Sequence, residues 1–151
     1  AAKLKSPLDS RTNLSFDDNF DNSSFSWRNG DTLGIFPDLG GYQVAFPLVG
    51  LSDDTPASYA EFDGGGWALV TDAQYSAYYP LGYNNRDFKS IPVSYIGQKQ
   101  VGENTNHIGT YDYMWASSEL QQNGKLKFSF KHLGSLIYFK VSVPEGVSGL
   151  D

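Results

Sequence analysis

His107 and His132 are the only imidazoles in this 151-residue chain, and it contains no cysteine. Four-thiolate zinc, iron–sulfur clusters, thiol catalysis and disulfides are excluded by residue type, and an imidazole metal site would need carboxylates to complete it. His132 stands on the apolar side of an alternating segment, where a core imidazole satisfied by a hydrogen bond is expected. His107 falls in the polar stretch Gly102–His107, which reads as an exposed loop. Asp17, Asn19 and Asp21 have the spacing of a calcium loop, but Arg28 occupies the position of the closing bidentate carboxylate, so the segment reads as solvated acidic chain. Asp53 and Asp54 are adjacent, and adjacency does not set the separation of a glycosidase pair. No Gly-x-Ser-x-Gly elbow flanks any serine. Gly64-Gly65-Gly66 lacks the Lys-Ser/Thr and helix of a phosphate loop and reads as a hairpin loop. The chain is expected not to be an enzyme, with no catalytic residue, metal ligand or cofactor.

The remaining chemistry is aromatic. Tyr75, Tyr78, Tyr79 and Tyr83 could stack on the apolar faces of sugar rings, against the competing expectation that strand aromatics form core. Alternation would place only some of them on one face. With 10 Phe, 10 Tyr, 3 Trp and 16 Gly, the chain favours pleated surfaces joined by many turns, and an all-β domain is expected.

Lys and Arg number 11 against 17 Asp and Glu, for a net charge of −6. Nucleic acid is not expected as a partner, because a phosphate backbone needs a cationic footprint. No apolar run approaches the roughly 18 residues of a membrane-spanning helix. A single domain of this length buries about 70% of its unfolded surface and holds a core without metals or disulfides.

Residues 1–26 are polar and read as a leader or first-strand region. The main domain is expected over 27–151. Asn29-Gly30 suggests a type I′ turn into Leu33–Phe36, and further strands are expected at Tyr42–Phe46, Tyr59–Phe62, Trp67–Val70, Tyr75–Tyr79 and Ile91–Ile96. Tyr111–Leu120 is the one stretch with faint helical periodicity. Phe128, Phe130 and His132 share one side of a strand, whereas Ile137, Phe139, Val141 and Val143 lie in the opposite phase. A turn, bulge or sheet switch is therefore expected within His132–Ser135.

Five segments in order resemble the fimbrillin-like family of Gram-negative bacterial surface proteins. Trp27-Arg28-Asn29-Gly30-Asp31-Thr32-Leu33-Gly34-Ile35-Phe36 is similar to the family's W-x-x-GD-x-(I/L)-G-(V/I)-F opening. Tyr75–Pro80 resembles its Y-YYP strand, Ile91–Gln98 its I-P-V-S-Y-x-x-Q segment, and Tyr111–Ala116 its YDYM-x-A motif. Lys127–Val141 resembles its F-x-F-x-H-x-x-S signature, with Ser135 in the serine position.

The resemblance implies a transthyretin-like Greek-key β-sandwich forming the N-terminal half of a two-domain subunit, with a second sandwich expected after Val143. It implies export as a lipoprotein precursor, a lipid anchor in the outer membrane, and a place at the cell surface or in a fimbrium. It also implies assembly with other pilus subunits by protease-triggered strand addition, with Arg11 as the candidate processing site. The alternative is a monomeric surface-anchored adhesin that binds a host protein or glycan. Asp31-Thr32-Leu33 further resembles an O-glycosylation acceptor pattern, although a plain strand-entry threonine accounts for it as well.

Overall fold

The computed structural model describes residues 13–16, 23–51, 57–70, 72–82, 85–99, 106–119, 124–136 and 146. Their regular structure is almost entirely β, as the composition implies. β1 (Asn13–Phe16) and β2 (Ser23–Ser26) form a two-stranded antiparallel sheet. The other strands are β3 (Thr32–Pro37), β4 (Val44–Val49), β5 (Glu61–Phe62), β6 (Tyr75–Tyr79), β7 (Met114–Ser117) and β8 (Lys131–His132). They build one antiparallel six-stranded sheet in the order β5-β4-β3-β6-β7-β8. The five-residue helix α1 (Asn106–Thr110) is the only helix among the described residues.

Period-2 alternation along β3, β6 and β7 sorts the side chains onto two faces. Leu33, Ile35, Tyr75, Ala77, Tyr79, Met114 and Ala116 occupy the first face, and all are buried. Gly34, Phe36, Ser76, Tyr78, Trp115 and Ser117 occupy the second. Phe36 and Tyr78 are buried there too, so the central strands are apolar on both sides. Both edge strands are only two residues long, which limits the exposed ladder they offer.

A buried carboxylate fixes the approach to β3. Asp31 accepts hydrogen bonds from the Tyr79 hydroxyl at 2.8 Å and from the Arg28 amide at 2.8 Å. Its own amide donates to the Arg28 carbonyl, closing the turn. Only Gly30 in that turn has positive φ, at 95°, so the expected type I′ geometry, which needs two such residues, is not formed. The turn leads from β2 in one sheet to β3 in the other, so it is not a hairpin.

Four further expectations are corrected. Trp67–Val70 and Ile91–Ile96 carry strand-like composition but join no ladder. Trp67–Val70 lies over the first face, where Trp67 and Leu69 are half-buried, whereas Ile91–Ile96 borders the second face with only Ile91 half-buried and the rest exposed. The described part of Tyr111–Leu120, residues 111–119, is not helical: α1 precedes it, and Met114–Ser117 within it is β7, alternating buried and exposed. His107 lies in α1, half-buried, and not in an exposed loop.

Candidate functional site

The first face of the sheet forms the floor of an apolar trough. Leu33 and Ile35 of β3 and Met114 of β7 lie along that floor. Trp27 stands over it, packed edge-on against Phe62, Tyr79 and Phe130 at centroid distances of 5.2, 5.3 and 5.5 Å. Trp67 packs likewise between Phe46, at 5.8 Å, and Tyr75, at 5.6 Å. Phe46 itself lies on Gly64, where a Cβ would come within 2.5 Å of the ring. That contact explains one glycine of the triplet by packing, whereas Gly65 and Gly66 both take positive φ.

Residues 124–130 form the opposite wall. Leu126, Phe128 and Phe130 turn inward and are half-buried, while Lys125, Lys127 and Ser129 face water. One isolated bridge, Ser118–Phe128, and the Glu119 amide bonded to the Lys127 carbonyl at 2.8 Å tie this wall to the end of β7. The trough between wall and sheet has a volume of about 1130 Å³. Its rim is zwitterionic. Lys125 pairs with Glu61 at 3.0 Å and Lys127 with Glu119 at 2.8 Å. The hydrogen bond from Lys127, followed by that from Ser129, lowers the Glu119 pKa, and the Glu61 and Glu119 carboxylates raise those of Lys125 and Lys127.

His132 closes one end of the trough. Its Nδ1 lies 2.6 Å from Oδ1 of the buried Asp112, and its ring packs on Phe25 at 4.3 Å. The hydrogen-bonded imidazole expected from sequence is present, but the ring lines the trough and is about one-third exposed, so it is not a core residue. This contact joins the two-stranded sheet to the edge of the six-stranded one.

A smaller cleft, of about 470 Å³, lies on the second face between the sheet and the irregular segment 88–93. Its floor holds Phe36, Tyr78 and Trp115. Trp115, in the midst of the sheet, remains 43% exposed.

The tyrosines singled out as sugar platforms require correction. Tyr75 and Tyr79 are fully buried and Tyr78 is 6% exposed, so no two of these three share an exposed surface. Their hydroxyls explain why they are tolerated inside. Tyr79 bonds Asp31, and Tyr75 accepts from the Val70 amide at 2.6 Å. Tyr78 accepts from the Gly82 amide and from Asn85, and lies against Gln43 Oε1. Burial raises the Tyr78 pKa, while bonds from Asn85, Gly82 and Gln43 oppose the shift. Tyr83 and Arg11 lie outside the described residues, as do Asp17–Asp21 and Asp53-Asp54. Among the described residues, no three His, Asp or Glu side chains gather as a metal site would require.

Sequence reasoning missed Trp115 and the aromatic lining of the trough. A signal for Trp115 was available in Met114-Trp115-Ala116-Ser117, whose alternation fits a strand with one wet side. The lining brings together residues more than a hundred positions apart, such as Trp27 and Phe130, and no local pattern marks that. Comparison with protein-family models, with curated proteins and with solved structures gives no match.

Proposed function

We propose that this chain is the N-terminal, transthyretin-like Greek-key domain of a bacterial fimbrial subunit, assembled at the cell surface by strand addition, with the first-face trough as acceptor. The observation that carries the reading is the trough. Its 1130 Å³ exceeds the roughly 300–1,000 Å³ of small-ligand pockets, and it runs along a sheet face between aromatic walls. Those are the properties needed to bury alternate side chains of an extended segment, while backbone groups pair along the wall.

A second observation concerns the segments quoted for the resemblance. Residues quoted from different motifs touch one another: Asp31 bonds Tyr79, Asp112 bonds His132, and the Tyr113 hydroxyl donates to the Ser94 carbonyl at 3.0 Å. The motifs thus mark the cross-links of one fold. Export as an anchored precursor and processing at Arg11 belong to the same proposal. Cleavage there would leave Asn13–Phe16, and with it β1, on the mature chain.

The test is limited trypsin digestion of the longest native form, with mass spectrometry and a sizing column, beside Arg11→Ala and Phe128→Asp variants. Cleavage after Arg11 followed by concentration-dependent oligomers, absent in Phe128→Asp, is the expected result. A processed chain that stays monomeric at every concentration would remove the assembly role.

A further inference from the structure

The second-face cleft is graded from polar to apolar along β7. Ser117 pairs in register with Ser76, which adjoins Phe36 on β3. The Ser76 hydroxyl donates to Asp38 Oδ1 at 2.9 Å, placing a carboxylate in the same row. Phe88 reaches this end, 6.5 Å from the Phe36 ring, and Lys89 beside it holds its ammonium 5.5 Å from the Phe88 centroid. The next row, two residues along, is Tyr78 and the exposed Trp115. Beyond it come Tyr113 and Leu133, joined by the Leu133 amide on the Tyr113 carbonyl at 2.8 Å. From Ser117 to Tyr113 the floor spans roughly 13 Å at ~3.3 Å per residue.

Across the cleft, the segment from Phe88 through Ile91 and Val93 forms a wall with no partner in the sheet ladder. It is pinned at its far end. Tyr95 packs edge-on against Tyr113 at 5.4 Å, and Ser94 exchanges hydrogen bonds with the Tyr113 hydroxyl. The cleft is thus preformed, and its volume of about 470 Å³ falls in the range of small-ligand sites.

We infer that this cleft is a binding site for a short neutral glycan, of disaccharide size, with one pyranose ring stacked on the indole of Trp115. An exposed indole on an ordered strand offers a flat apolar platform that matches the C–H face of a sugar. The polar end supplies hydroxyl, carboxylate and ammonium groups together, so it can both donate to and accept from ligand hydroxyls. One carboxylate and one ammonium leave no net charge there, which selects against ionic ligands and for a polyhydroxylated neutral one. The site faces away from the trough, so occupation of one face leaves the other open. It also explains why tyrosines of β6 are poor platforms: the sheet buries them and exposes the tryptophan of the neighbouring strand instead.

The test uses calorimetry and tryptophan fluorescence with maltose, lactose, cellobiose and diacetylchitobiose as probes. Saturable binding of at least one sugar in the millimolar range is expected, with a fluorescence change that persists in Trp27→Phe. Trp115→Ala should weaken it at least tenfold and Trp115→Tyr should restore most of it, with the far-ultraviolet spectrum unchanged. Ser76→Ala is a second, milder variant and should weaken binding severalfold. The inference is overturned if none of the four sugars binds, or if binding survives Trp115→Ala. Capture of the apolar dye anilinonaphthalene sulfonate at this face with no competition from any sugar would also overturn it, by assigning the cleft to apolar ligands.

Discussion

The ring of Tyr78 lies directly over Gly34, its register partner across the β3–β6 ladder, so closely that a Cβ at position 34 would stand 2.1 Å from Cε1. The hydroxyl of that tyrosine is held by the Gly82 amide at 3.0 Å and by Asn85 at 2.9 Å, which restrains the ring from shifting away. A glycine in the middle of a central strand ordinarily weakens it. Here it creates the slot that an aromatic from the next strand fills.

Gly34→Ala is therefore expected to destabilise the fold by about 1–3 kcal/mol, the usual cost of overpacking. Urea denaturation measures it, and the double-mutant cycle with Tyr78→Ala is the sharper check. Once the ring is gone, the added methyl should cost much less, whereas equal penalties in both backgrounds would mean that the ring is not the cause.

Asp31→Ala removes the acceptor of a buried tyrosine hydroxyl and of a turn amide. A loss of about 1–3 kcal/mol is expected from the unsatisfied Tyr79 hydroxyl. Asp31→Ala combined with Tyr79→Phe should lose less than the sum of the single changes, by equilibrium unfolding.

Removing the ring of Trp27, which three aromatics contact edge-on, should cost about 3–5 kcal/mol in Trp27→Ala. Trp115→Ala, on the open second face, should cost far less, and thermal melts of the two variants side by side distinguish the half-buried, ring-packed indole from the exposed one.

The pH response of Tyr78 follows from its burial. Its folded pKa lies above 10.0, so the neutral phenol is the form that the fold favours. Its contribution is fully present below pH 10.0, the unfolded value, and is lost as pH rises through the raised folded value. In a spectrophotometric alkaline titration, Tyr78→Phe should remove one phenol from the late-ionising part of the curve. Loss from the early part instead would show that the hydroxyl is solvated.

Replacing His132 by Ala takes from the buried Asp112 its imidazole partner and from Phe25 its ring contact. A loss of about 1.5–3 kcal/mol is expected for a hydrogen bond to a charged group. Exchange protection of the Ser23–Ser26 amides should fall with it, because that contact links the two sheets.

Composition and alternation by themselves determined the β class, the central strands Leu33–Phe36 and Tyr75–Tyr79, and the hydrogen-bonded state of His132. Those are local quantities: period 2, branched and aromatic content, and turn residues adjoining in the chain. Trp67–Val70 and Ile91–Ile96 satisfy the same local criteria without pairing: Trp67 and Leu69 are half-buried over a sheet face, Val93, Tyr95 and Ile96 stay exposed, and the presence of a neighbouring ladder strand is not a local quantity. Tertiary structure alone decided which aromatics are inside. Tyr75, Tyr78 and Tyr79 all disappear because β6 lies between β3 and β7 with both faces covered, whereas Trp115 stays open on the next strand. The trough and the cleft were hidden for the same reason: each is the space between elements far apart in sequence, and its shape is fixed by strand order and by contacts such as Gly34 with Tyr78, which no single segment contains.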